Sequence, residues 1–190
     1  DLGIDYKDRH LHLALDLYTS RIEDKIVAIP MKCQFRWSMV NFGLVRSLGI
    51  STTAGYDRTW GKLALSANAN YTCQRDRDFS SPSDPEYKNT IPYSPLHSAS
   101  LIVSLGYDGW SACTSWLYTG DRFALISNNK EDMLGAWQTV DLKLSKTFTV
   151  SRHSLQTTIE CNNLTDSRHE VVKRYPMPGR NWKLTLQWRM

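Results

Sequence analysis

From Trp182 to Met190 apolar and polar residues alternate without a break. Trp182, Leu184, Leu186, Trp188 and Met190 form one set; Lys183, Thr185, Gln187 and Arg189 form the other. Period-two alternation puts the sets on opposite faces of an extended strand, one wholly apolar and one wholly polar. The pattern recurs upstream. Leu11, Leu13, Leu15 and Leu17 alternate with His12, Ala14, Asp16 and Tyr18. Leu63, Leu65, Ala67, Ala69 and Tyr71 alternate with Ala64, Ser66, Asn68, Asn70 and Thr72. Comparable runs lie at 98–107, 140–148 and 155–162.

A β-sandwich alternates too, with its polar face in water, and for a single strand it is the better reading. Three features favour a membrane-spanning barrel. Segments 62–72 and 180–190 reach the ~9–11 residues a tilted strand needs to cross a bilayer, whereas sandwich strands usually have ~5–6. Short connections (near Lys7–Arg9, Asp57–Gly61, Asp108–Gly109 and Ser151–His153) alternate with long ones (23–41, 73–97, 121–136 and 163–180), as inner turns and outer loops do in such barrels. Aromatics sit at strand ends: Tyr56, Trp60, Tyr107, Trp110 and Phe148 near short turns, and Tyr18, Tyr71, Trp116 and Tyr118 near long loops, as expected of interfacial belts. The expected fold is all-β, an antiparallel transmembrane barrel segment of about nine strands: 1–6, 11–22, 43–57, 62–73, 97–107, 110–120, 137–150, 154–162 and 180–190.

Other classes are disfavoured. No run approaches the ~18 apolar residues of a transmembrane helix. The net charge of +4 is spread among interspersed residues, without the basic stripe that nucleic-acid binding needs. Cys33, Cys73, Cys113 and Cys161 are widely spaced and form no C-x-x-C pair, so neither a zinc site nor a disulfide framework is expected, with a Cys33–Cys73 bridge the residual option. No catalytic motif is present, neither G-x-S-x-G nor H-E-x-x-H nor a phosphate loop, so no enzyme and no cofactor is expected. His97, His153 and His169 are scattered; His10 and His12 lie two apart, short of a metal-ligand set. The chain opens on Asp1-Leu2-Gly3 without a charged-then-apolar leader and is expected to be a fragment or processed piece.

Asn163-Leu164-Thr165-Asp166, the segment Glu170-Val171-Val172-Lys173-Arg174-Tyr175-Pro176-Met177-Pro178-Gly179-Arg180, and the terminal strand together resemble the C-terminal barrel region of TonB-dependent outer-membrane receptors. Ser20–Ile26, Ser47–Ile50 and Ile91–His97 support the resemblance, which runs along nearly the whole chain. The wording is most similar to cobalamin-receptor-like members from Bacteroidetes. The resemblance implies a bacterial outer-membrane location and a barrel of about 22 strands filled by a plug domain. Residues 1–190 would be the C-terminal part, with the plug and the N-terminal strands upstream. It further implies uptake of a scarce ligand, cobalamin or a siderophore-like chelate. Implied partners are outer-membrane lipid, the TonB complex through the plug, the barrel-assembly machinery and a surface lipoprotein; nucleic acid is not among them. Two departures stand out. Arg189-Met190 replaces the family's terminal aromatic in the strand read for assembly, and His169 stands where an aromatic is common.

The candidate ligand contacts are Trp37, Tyr87, Phe123 and Tyr175 in loops, and Asn68, Asn70 and Glu160 on the polar face. For each the plainer reading is that it solvates a polar lumen or touches the plug. Trp182, Leu184, Leu186, Trp188 and Met190 form the candidate assembly strand. A small self-contained porin and a soluble carbohydrate-binding sandwich are the alternatives; an odd strand count disfavours the porin.

Overall fold

The computed structural model describes residues 1–30, 36–150 and 153–189. Cys33, Met190 and most of the Ser151–His153 turn therefore lie outside the described residues. Nine strands form one antiparallel sheet: β1 (Leu2–Lys7), β2 (Leu11–Pro30), β3 (Trp37–Trp60), β4 (Leu63–Asp78), β5 (His97–Tyr107), β6 (Trp110–Thr119), β9 (Trp137–Val150), β10 (His153–Asn162) and β13 (Asn181–Arg189). The pairs β7 (Arg122–Phe123) with β8 (Met133–Leu134), and β11 (Glu170–Val172) with β12 (Tyr175–Pro176), are small ladders within long connections. The nine strands follow one another as a meander with β1 and β13 at the edges. A sandwich, with two large sheets face to face, is not what they build.

Register converts the alternation into two surfaces. Directly paired residues share a face, so Tyr6, Leu13, Ala54, Ala69, Leu101, Trp116 and Val140 stand side by side across seven strands. The same face ends on Leu155–Trp188, Ile159–Leu184 and Cys161–Trp182 between β10 and β13. Its side chains remain open: Trp182, Leu184 and Leu186 are about 65% exposed, part of a contiguous apolar surface of the kind that meets a membrane or a partner. Asp108 and Gly109, both at positive φ, make the tight β5–β6 turn, as a two-residue hairpin with a right-handed sheet twist demands.

Two expectations are corrected. The segment 23–41 is largely strand, because β2 and β3 continue as one hairpin to Pro30↔Trp37. At ~3.3 Å per residue β3 is about 80 Å long, well beyond a membrane crossing. About two-thirds of the way up, Asp24 adopts a left-handed φ of 53° at the rung between Glu23↔Leu44 and Lys25↔Phe42, where Gly43 stands on β3. Burial there switches from odd positions (Val45, Ser47, Gly49) to even ones (Phe42), so the simple alternation of the lower strand does not continue. β4 likewise extends to Asp78, into the segment expected to be loop. Second, Tyr18 is not part of an aromatic belt on the apolar face. It pairs with Gly49 on the polar face, where a missing side chain lets its ring lie flat across β3.

The core lies above the sheet's midsection. Phe42 and Val45 of β3 and Ile91 of the β4–β5 connection are buried together, with Val27, Val40 and Ile126 packed on them. The long connections thus fold onto the upper polar side.

Candidate functional site

The polar face begins with hydroxyls and amides that satisfy one another. Thr53 Oγ1 donates to Asn70 Oδ1 at 3.0 Å, and Asn70 Nδ2 reaches Ser100 Oγ at 3.4 Å. Asn68 contacts Ser66. Higher on the same face, Tyr18 donates its hydroxyl to Gln74 Oε1 at 2.6 Å. Gln74 Nε2 donates to both oxygens of Asp76, at 2.8 and 2.7 Å, and Ser94 Oγ adds a third bond at 2.7 Å. Asp76 is buried, and these donors offset the cost of desolvating its charge.

A second group lies toward β13. Glu160 sits between Lys143 at 3.4 Å and Lys183 at 3.5 Å, a ladder of alternating charge over three strands. Beside it is a depression of about 240 Å³ lined by Cys113, Ser115, Asp141, Lys143, Glu160 and Asn162. Glu160 and Asn70 are four strands apart, about 19 Å at the usual ~4.8 Å spacing, so the two groups are separate patches of one wall.

Above the wall the long connections are braced together. Asn128 Nδ2 donates to the Thr90 carbonyl at 2.9 Å, while the Thr90 amide donates to Asn128 Oδ1 at 2.7 Å. Arg122 Nη2 donates to the carbonyls of Glu170 and Val171, at 2.7 and 3.0 Å. Burial pushes the Arg122 pKa down, and Tyr93 and Asp121 beside it push it back up. Lys173 pairs with Asp132. Three connections (79–96, 120–136 and 163–180) therefore act as one cap.

The Asn-Leu-Thr-Asp and Pro-Gly-Arg motifs close the last connection. The Asn163 amide donates to Asp141 Oδ1 at 2.7 Å, and its side chain donates to the Ser167 and Pro178 carbonyls. Asp166 accepts from the Arg180 amide at 2.8 Å. A Cβ on Gly179 would lie 2.7 Å from that same carboxylate oxygen, so the glycine is part of the clasp. His169 stacks on Trp137 with centroids 4.2 Å apart. The imidazole does the packing that an aromatic ring would do there.

The sequence candidates are only partly brought together. Trp37 and Tyr175 meet, with ring centroids 6.2 Å apart, at the top of the molecule. Phe123 lies in β7, where its carbonyl accepts from the Tyr93 amide. Tyr87 packs edge-on against Phe79 at 5.5 Å and carries Lys88 over its face. Asn68, Asn70 and Glu160 occupy the wall as described. Met190 lies outside the described residues, and the rest of its strand forms the β13 edge. Sequence reading missed Gln74, Asp76, Arg122 and Lys173, polar residues in segments with no readable periodicity. His10 is engaged by the Asp57 carbonyl and His12 by Asp5, each at 2.9 Å. No group of three metal-ligating side chains occurs among the described residues.

Residues 1–164 match the family described as TonB dependent receptor-like, beta-barrel. Among solved structures, the chain is similar to the ferric citrate transporter FecA in its unliganded form: TM-score 0.77 and 16% identity over 98% of this chain and 30% of that one. It is also similar to BauA, the ferric preacinetobactin receptor from Acinetobacter baumannii (TM-score 0.74, 13% identity, 98% and 28% covered). A third is the ferric yersiniabactin uptake receptor FyuA from Yersinia pestis (TM-score 0.65, 17% identity, 98% and 27% covered). At these identities the likeness establishes the fold. The chain spans about 30% of the length of the first of these receptors. No curated protein matches.

Proposed function

Because this chain belongs to the TonB-dependent receptor-like β-barrel family, a family of outer-membrane transport receptors rather than enzymes, we propose that it is the C-terminal part of the barrel of an uptake receptor. The whole receptor would capture a scarce chelate outside the cell and import it by TonB-coupled movement of a plug held in the lumen. The observation that carries this reading is the two-faced sheet under a braced cap: an open apolar face for lipid, a self-satisfied polar wall for a plugged lumen, and folded loops over its upper end. Strands beyond the β1 and β13 edges would complete the barrel, since unpaired ladder groups in lipid cost several kcal/mol each.

For cargo, the solved relatives named for ferric chelates support a metal chelate. The Bacteroidetes-like wording of the sequence supports cobalamin. The Trp37–Tyr175 pair at the mouth is the contact we assign to either. The intact receptor, purified in detergent, is titrated with cobalamin, ferric citrate and a ferric catecholate, and cells are assayed for TonB-dependent uptake of whichever binds. Saturable binding of one chelate, weakened in Trp37→Ala, supports the reading. Passive, TonB-independent passage of small solutes would replace it with a porin.

A further inference from the structure

Arginines are paired with arginines on the apolar side of the sheet, two rungs above its last wholly apolar row. Arg21 of β2 is opposite Arg46 of β3, which is opposite Arg77 of β4. One rung below, Arg75 pairs with Leu48. The next rung down is apolar: Leu17, Ile50 and Cys73. Like charges placed directly across a ladder repel, so such a row calls for anions between its members. Glu23 answers Arg21 at 2.8 Å. Among the described residues, no carboxylate pairs with Arg46, Arg75 or Arg77; Arg46 lies over the Phe79 ring at 4.8 Å.

The position is interfacial. Arg75 stands twelve residues above Leu63, the inner end of β4. At ~3.3 Å per residue and ~40° of tilt that is about 30 Å, just past an apolar band ~25 Å tall. Immediately beneath is a groove of about 360 Å³ lined by Leu17, Leu48, Ile50, Cys73 and Leu96, with Arg75 at its upper end. Leu48, level with Arg75 across the ladder, is 68% exposed.

We infer that this groove and the arginine row form a binding site for a phosphorylated acyl lipid of the outer leaflet. The chain enters the groove and the headgroup phosphates bridge Arg46, Arg75 and Arg77. Guanidinium groups suit the role because their planar forks hold phosphate oxygens in pairs. The site depends on the outer-membrane location alone, so it stands or falls separately from the identity of any transported chelate.

The test uses the full-length receptor in detergent, stripped of lipid, with bound lipid read by native mass spectrometry. The probes are lipid A, its dephosphorylated form, and inorganic phosphate. Lipid A should bind wild-type receptor at least about tenfold more tightly than the dephosphorylated form, and equimolar inorganic phosphate should leave it bound. Arg46→Gln/Arg75→Gln/Arg77→Gln should lose that preference, while Lys146→Gln, at the opposite end of the apolar face, should keep it. Equal binding of the two lipids would overturn the site, as would displacement by inorganic phosphate or equal behaviour of the two variants. Failure of lipid A to bind at all would also overturn it and leave the row to an acidic protein partner. The wild-type comparisons decide the matter even if the triple variant does not assemble.

Discussion

Gly49 shows how one missing side chain sets the chemistry of a wall. A Cβ there would run into Cζ and the hydroxyl of Tyr18, and the Tyr18–Gln74–Asp76 chain would part at its first bond. Gly49→Ala should destabilise the receptor by about 1–3 kcal/mol through overpacking. In a Tyr18→Ala background the added cost should fall to a few tenths, because the clash has gone. Denaturant unfolding of the four proteins in one detergent measures the cycle; an undiminished cost would show that Gly49 matters for another reason. His169 gives a second case. Its stacking on Trp137 predicts that His169→Phe is tolerated whereas His169→Ala loses about 0.5–1.5 kcal/mol. Neither contact was legible in the sequence: Tyr18 reads there as one more aromatic at a strand end, and only the register shows that it faces Gly49.

At the scale of the strand, legibility tracks how simple the environment is. Where one face meets lipid and the other a polar lumen, alternation is enforced residue by residue, and all nine strands are readable. Above the membrane the rule lapses. β2 and β3 continue, but Asp24 and Gly43 switch the buried parity, and the inward residues then pack against loops that alternation cannot describe. Even inside the span the pattern has breaks with physical reasons. Lys146 shares the apolar face, yet its Nζ lies over Trp110 at 5.0 Å and donates to the Asp108 carbonyl at 2.8 Å, reaching the inner interface rather than the hydrocarbon. The same logic separates two neighbours on β9. Leu142 is on the apolar face beside Thr114 and Cys161, so Leu142→Arg should cost about 2–4 kcal/mol near mid-bilayer and block assembly. Lys143 faces Glu160, so Lys143→Arg should assemble normally. Membrane fractionation with heat-modifiability on gels compares the two, and equal tolerance would count against the assignment of faces.

For the molecule as a whole, the sheet and the cap do different work. The sheet holds position through its ladder and its lipid contact. The cap holds shape through a few bonds between connections far apart in sequence, and Arg122 and Lys173 both tie 120–136 to 163–180. The two Arg122 bonds are charge-assisted, worth roughly 1.5–3 kcal/mol each, and both acceptors are backbone carbonyls that would otherwise be left without this donor. Burial lowers the Arg122 pKa while Tyr93 and Asp121 oppose the shift, and a guanidinium is effectively always charged in a protein. Arg122→Ala should therefore leave the barrel assembled while raising the population of opened loops by about tenfold or more. Trypsin added to intact outer-membrane vesicles should then cut at Lys88 and Lys130 correspondingly faster than in wild type. An unchanged cutting rate would mean that Lys173–Asp132 and the Asn128–Thr90 clasp hold the cap without Arg122, and the two-loop tie would lose its assigned role. If cutting accelerates, chelate affinity measured on the same variant tells whether the mouth must be preformed to bind: a cap that merely covers the lumen would open without loss of affinity, whereas one that sets the Trp37–Tyr175 spacing would lose both together.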